Sequence, residues 1–455
     1  MKKYRQNILL VSILICALFL RLFNLSYMEF KGDEAFNSLK AIKFAENGNI
    51  PLTSAIGSTG IHEPPIFMYF LAIPFFFSFN PILAATLIAV INVIGLFFLY
   101  LFVNEFLNYR AALIAAVLYS VNPWQIIYSR KIWTVDILAT FVILFIYFIS
   151  SAVYKKKESH IIYALIALSF VLQIHLSALY FAGITLIIII LYMKDLNKFY
   201  LIIGFIIFLL TFAPYFAFQI KNNFTDIHTA LNLVKKKITF HEEAFTIPFR
   251  LVTTNGLNSY LGSDFYVFQE GFVKIGILDF FSSLLLLISI VLLFFIRGNC
   301  RIILIVWGVT GTIFMAFNKA NIFSNDTHYF ISFFPLYFIM MGNALSWMTT
   351  NTKKSLQYSI YTIIFMLTLY HFLFSFHLIS FVKEQGCIHG DYGLPYAYHL
   401  NQVKKVISKF SLDDINTELN NIHLASCNCG KKCDFLATKF IIKYIRPEYD
   451  VGEIE

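Results

Sequence analysis

"ILLVSILICALFLRLFNLSYMEFKGDEAF", residues 8–36, runs from an apolar stretch into two adjacent acids, Asp33 and Glu34. The part over 8–28 is long enough for a helix to cross a hydrocarbon core, which takes roughly 20 residues. Lys2, Lys3 and Arg5 precede it, as basic residues precede a secretory leader. The apolar part is too long for a leader, and no small-x-small cleavage site stands before Arg21, so it reads as a retained first span. The acids stand at its exit. Gly32 and Asp33 also suit a helix start, where acids are favoured. The other reading is that one acid performs chemistry at the membrane surface.

Composition supports the span. Of 455 residues, 58% are hydrophobic and 13% charged, against about 25% charged in soluble domains. Mean hydropathy is +0.71. The pattern predicts an all-α polytopic membrane protein with about eleven transmembrane helices, near 8–28, 82–103, 111–128, 134–153, 160–175, 177–193, 199–219, 277–296, 302–318, 329–349 and 355–380. "PIFMYFLAIPFFFSF", 65–79, is short and holds Pro74, so it reads as an interfacial or re-entrant helix.

The net charge of +9 is spread in short clusters between apolar runs. That is the signature of membrane orientation, and it gives no reason to expect a nucleic-acid partner. With the N-terminus cytoplasmic, every inner connection carries Lys or Arg, as at Arg110, Lys155–Lys157, Lys194, Arg297, Arg301 and Lys353. An odd number of spans places the C-terminus outside. The chain divides into a membrane domain, 1–381, with outer loops 29–81 and 221–276, and an extracytoplasmic tail domain, 382–455. In the tail, "YHLNQVKKVISKF" has amphipathic helical spacing and "NIHLAS" reads as a strand, giving a small α/β or α+β unit. Glycine-rich nucleotide motifs are absent from the sequence.

Cys16 and Cys300 are isolated. Cys387, Cys427, Cys429 and Cys433 cluster in the tail. Outside the cell, four such cysteines favour two disulfides. A metal knot with His389 or His423 is the rival, although CxC-x3-C is not a usual zinc spacing.

Polar residues are expensive at membrane depth, and here they collect at one side. After the first span come Asp33 and Glu34, and the same loop holds His62 and Glu63 before Pro64-Pro65. Arg130 and Lys131 lie between the third and fourth spans, with Asp136 opening the fourth. His175 occupies the next outer turn. Lys319, Asp326, His328 and Tyr329 lie around the start of the tenth span. An acid there can take a proton from a hydroxyl, and cations can hold a phosphate as it leaves. Asp33 and Glu34 diverge by about 100° on a helix, so one points into a site; Asp33 is read as the base and Glu34 as its support. Each of the others has a plainer reading, as a cap, a belt residue or an interfacial anchor. Asp33, Glu34, His62, Glu63 and His175 could together hold a divalent cation, but positive side chains can do the same electrostatic work, so no cofactor is required.

These positions resemble the membrane glycosyltransferases of the GT-C fold, in the branch of the protein O-mannosyltransferases and the lipid A aminoarabinose transferase. "GDEA" (32–35) resembles the Asp-Glu motif of the first outer loop. "HEPPIFMYFLA" (62–72) resembles the Pro-Pro segment before an interfacial helix. "NPWQIIYSRKIWTVDILATF" (122–141), "LQIHLSALY" (172–180) and "HYFISFFPLYFIM" (328–340) resemble later motifs of that family. Two departures stand out. Glu63 replaces a His or Lys before Pro-Pro, and His328 replaces the Arg of an Arg-Tyr pair. Arg130, Lys131 and Lys319 then become the stronger cation candidates. The resemblance implies a polyprenyl-phosphate sugar donor, an acceptor glycan, lipid or protein, inverting transfer in which the Asp33 carboxylate activates the acceptor hydroxyl, and a site in a prokaryotic plasma membrane. The competing readings are a transporter or flippase, and a polymerase or ligase, of lipid-linked glycans.

Overall fold

The computed structural model describes residues 2–272, 275–295, 298, 300–319, 326–426, 434–449 and 451. In chain order the helices are α1 (Lys2–Leu22), α2 (Gly32–Asn47), α3 (Ile66–Phe75), α4 (Pro81–Phe106), α5 (Tyr109–Val121), α6 (Pro123–Tyr128), α7 (Leu138–Lys155) and α8 (His160–Ile174). Next come α9 (Tyr180–Tyr192), α10 (Lys198–Thr211), α11 (Ala213–Lys221), α12 (Thr225–Lys235), α13 (Glu243–Leu251), α14 (Leu257–Leu261), α15 (Asp264–Gly271) and α16 (Gly276–Leu293). The chain continues with α17 (Arg301–Ala316), α18 (Phe334–Thr350), α19 (Lys354–Gln385), α20 (Tyr396–Ile407), α21 (Leu412–Ser426) and α22 (Phe435–Ile445). Two short strands, β1 (Ile238–Phe240) and β2 (Phe317–Lys319), pair antiparallel.

All the expected apolar segments fall on helices. Among the described residues five helical segments are long and apolar enough to cross a membrane, and the pair α10–α11, bent by 46°, makes a sixth if it is one span. Other apolar segments are shorter because polar caps interrupt them. The Asn108 side chain accepts from Ala111 N and begins α5. Asn122 accepts from Gln125 N and, with Pro123 next, starts α6 as a separate helix. The 111–128 run is therefore two helices. Pro214 follows the bend at Phe212, where a missing N–H weakens the helical ladder.

The helices pack through small residues. α5 buries Ala111, Ala112, Ala115 and Ala116 completely. It packs against α4 and α18. A Cβ on Gly342 of α18 would stand 2.6 Å from the Ala111 carbonyl oxygen, so only glycine permits this approach.

"NIHLAS" lies in α21, not in a strand. Six alternating residues are too few to separate the two periods, and the helical context decides. α20 matches the amphipathic helix expected there. The helices of the tail lean on the start of the chain. Tyr396 N donates to Met28 O at 3.0 Å, and Phe30 packs its ring 5.2 Å from Tyr396 and 4.9 Å from Phe440. α22 also packs on α2.

Candidate active site

The exit of α1 is fixed by Arg130. Its Nη1 donates to the carbonyls of Leu20, Arg21 and Phe23 at 3.0, 2.8 and 2.8 Å, and Nη2 donates to Asn24 O at 3.2 Å. A helix C-terminus leaves carbonyls unpaired and carries partial negative charge, and a buried guanidinium answers both. Arg130 is thus occupied with holding α1 in place.

Just beyond, Glu29 is buried between two lysines. Lys31 Nζ lies 2.5 Å from its Oε1 and Lys131 Nζ lies 3.5 Å from its Oε2, which also accepts the Tyr260 hydroxyl. α2 then starts. Glu34, in its first turn, accepts Lys31 N at 2.9 Å through Oε2 and stands 4.0 Å from Lys131 Nζ through Oε1. Asp33 points elsewhere. It is exposed, and among the described residues it makes no hydrogen bond or ion pair. Asp434, which caps α22, comes close to it: a Cβ on Gly32 would lie 2.6 Å from Asp434 Oδ2.

Electrostatics separate these acids. Burial pushes Glu29 up, but Lys131 and Lys31 together outweigh it and hold the carboxyl below its ordinary value. Burial, with Glu29 beside it, pushes Glu34 up to about 7. Partial burial raises Asp33 against the pull of Lys131 and Lys31. Burial alone would discharge Lys131, but Glu29, Glu34 and Asp136 hold it well above the usual lysine range. Its ammonium also lies 4.2 Å from the Trp133 ring centroid.

Aromatic rings connect this charged mouth to a second pocket. The His328 ring centroid is 4.7 Å from Trp133, 3.9 Å from Tyr329 and 6.2 Å from His175. The Tyr329 hydroxyl is 3.4 Å from Ser58 Oγ. The pocket measures about 230 Å³ and is lined by Glu63, Pro64, Gln173, His175 and Tyr329, among others. His175 Nδ1 bonds Ser177 Oγ at 2.7 Å, and its Nε2 stands 3.9 Å from Glu63 Oε1. Burial lowers His175 to about 4 and raises Glu63 to about 8, so near pH 7 both are neutral rather than an ion pair.

The expected residues therefore fall into three groups. Asp33, Glu34, Lys131 and the aromatic bridge share the mouth, while Glu63, His175 and Tyr329 share the pocket. His62 also lines that pocket, but its Nδ1 is engaged with Asp226 Oδ1 at 2.9 Å. Asp136 is buried beneath, accepting Trp133 N at 3.1 Å. Lys319 ends β2, and its side chain lies outside the described residues. The five candidate metal ligands are thus split, and among the described residues no three His, Cys, Asp or Glu converge on a metal position. Cys387 is disulfide-bonded, whereas Cys427, Cys429 and Cys433 lie outside the described residues. Sequence reasoning missed Glu29, Tyr260 and Asp226. Glu29 carried a signal, as an acid next to Lys31 at the same span exit; the other two carried none.

The family of dolichyl-phosphate-mannose-protein mannosyltransferases matches residues 62–218, the stretch holding Glu63, Lys131 and His175. No curated protein matches the sequence significantly. Among solved structures, ArnT from Cupriavidus metallidurans bound to undecaprenyl phosphate superposes with a TM-score of 0.60 at 12% identity, covering 89% of this chain and 81% of that one. The oligosaccharyltransferase of Archaeoglobus fulgidus in complex with Zn and sulfate gives a TM-score of 0.53 at 13% identity, covering 90% of this chain and 56% of that one. AglB from the same organism, in complex with an inhibitory peptide and a dolichol-phosphate, gives 0.52 at 11% identity, covering 99% and 65%. The chain is a membrane protein of the GT-C glycosyltransferase fold, similar to the protein O-mannosyltransferase and aminoarabinose transferase family.

Proposed function

We propose that the protein transfers a monosaccharide from a polyprenyl-phosphate donor to a hydroxyl of a glycan, lipid or protein at the outer face of the membrane. The observation that carries this reading is Asp33, an exposed carboxylate left without a partner among the described residues, beside two buried or half-buried lysines. In the reaction, Asp33 takes the proton from the acceptor hydroxyl. The acceptor oxygen bonds to the anomeric carbon on the face opposite the phosphate. The carbon–oxygen bond to phosphate breaks, and its electron pair departs with the polyprenyl phosphate, inverting the sugar. Lys31, partly exposed at the mouth, and Lys131 behind it supply positive charge against the leaving phosphate. Glu34 caps α2 and so sets the direction of Asp33. The split metal candidates do not fit a metal centre, and no step passes through one.

An apolar cleft of about 510 Å³ supports a lipid donor. It lies between α13, α16, α17 and α18 and is lined by residues such as Phe249, Leu293, Leu336 and Tyr337. Its lining includes Phe333, at the end of the same short helical turn that carries His328. The Cys387 disulfide suits an oxidising compartment, in keeping with a cytoplasmic N-terminus and an outer tail.

The test is transfer of radiolabelled sugar in membranes from a panel of polyprenyl-phosphate monosaccharides, wild type beside Asp33→Asn. Transfer from one donor, lost in the variant, is expected. Transfer retained by the variant removes Asp33 from the chemistry. Absence of transfer with lipid binding intact favours a transporter or a glycan ligase.

A further inference from the structure

We propose that the pocket between Pro64 and His175 receives the sugar ring of the donor and excludes its phosphate, with Glu63, His175 and Gln173 bonding sugar hydroxyls. This rests on the reading of the protein as a lipid-linked sugar transferase and assigns the specificity-determining end of the site.

Three observations converge. First, the pocket holds unsatisfied polar atoms. Gln173 is 1% exposed, its Nε2 donates to Thr211 Oγ1 at 3.0 Å, and its Oε1 has no partner among the described residues. Glu63 Oε2 is likewise buried and has no hydrogen-bond partner among the described residues, although Thr134 approaches the same carboxyl. Such atoms call for a ligand or water that supplies the missing bond. Second, Glu63 Oε1 and His175 Nε2 are 3.9 Å apart, too far to bond each other. One oxygen about 2.8 Å from each would bridge them, donating to one and accepting from the other. A sugar hydroxyl can do both. Third, among the described residues neither Lys nor Arg lines the pocket, and its other histidine, His62, is bonded to Asp226. A phosphate placed here would meet a carboxyl and a neutral imidazole instead of a cation. At about 230 Å³ the pocket is below the range of about 300–1,000 Å³ that takes drug-sized ligands, which suits a single ring. Tyr329 closes one side with its ring 5.6 Å from His175. The rings of His328 and Trp133 then lead to Lys131, so the cationic and hydroxyl-bonding ends are contiguous.

The experiment measures binding of bare undecaprenyl phosphate and of undecaprenyl-phosphate mannose, glucose, galactose and arabinose to the full chain in lipid nanodiscs. Wild type should bind at least one sugar-bearing lipid tenfold or more tighter than the bare lipid. Glu63→Leu and His175→Phe should each reduce that ratio to near one while leaving bare-lipid affinity within twofold. Loss of bare-lipid binding in properly folded variants would mean that the pocket holds phosphate and would overturn the assignment, as would a ratio that persists in both variants. Should the variants not fold, a wild-type ratio near one for every sugar overturns it independently. Asp33→Asn separates the two claims, because it should lose transfer and keep the ratio. Wild type that binds none of the five lipids removes the functional reading and the pocket with it.

Discussion

The Glu34 carboxylate stands 4.0 Å from the Lys131 ammonium and accepts the Lys31 backbone amide with its other oxygen, while its neighbour Asp33 is left unpaired among the described residues. Two consecutive acids therefore differ: Glu34 is tied into the cluster, and Asp33 faces solvent.

Asp33→Asn should lower transfer by about 10²- to 10⁴-fold, the usual contribution of a positioned base. Stability should change by less than about 0.5 kcal/mol, because the side chain is exposed and unbonded. Steady-state rates beside thermal unfolding in detergent check both expectations.

Lys131→Met should destabilise the fold by about 3–5 kcal/mol, because it leaves Glu29 and Glu34 buried with less positive charge beside them. The double variant Lys131→Met with Glu34→Gln should recover part of the loss. Additive losses in chemical unfolding would show that the two residues do not interact.

Stability should depend on pH through Glu34. The folded protein holds its proton up to about 7, whereas an unfolded glutamate releases it near about 4.3. The folded state binds the proton more tightly, so this contribution is full below about 4.3 and is lost as pH rises through about 7. Lys131 stays protonated across that window and does not cancel the effect. Unfolding curves from pH 4 to 8 should become shallower in Glu34→Gln, with the raised Glu63 supplying the slope that remains.

Arg130→Met should lower stability by about 3 kcal/mol, since four carbonyls lose a charged donor. With the guanidinium committed to α1, Arg130→Lys should change donor affinity by less than about twofold wherever the fold survives. A large rise in donor KM with unchanged stability would instead place the guanidinium on the phosphate.

Gly342→Ala should cost about 1–3 kcal/mol, because the added methyl would lie 2.6 Å from Ala111 O and 2.7 Å from Ala115 Cβ. Thermal unfolding reads this directly.

Much of the fold is legible in the sequence, because apolar runs become helices wherever they end in Asn caps or prolines. The gathering of Lys131, His175 and His328 around linked aromatic rings agrees with their expected clustering between the runs. Partners across long separations are not legible. Glu29 meets Tyr260 across 231 positions and His62 meets Asp226 across 164, and local pattern does not encode such meetings. Arg130 looks like any outer cation until the end of α1 is placed against it. His62 and Glu63 are adjacent in sequence yet serve different neighbours, which two prolines after them do not reveal.

The dependence of the mouth on the tail has a consequence for biosynthesis. Glu29 to Glu34 leave the ribosome early, but Lys31 bonds Asp391 O across 360 positions, and Phe30 packs on Phe440. At about 5–20 residues per second, these partners arrive tens of seconds later. The nascent chain therefore carries an unassembled mouth until residues 391–440 have been made and have docked on it. A product stalled before those residues would hold the Glu29–Lys31 cluster without the tail contacts that brace it.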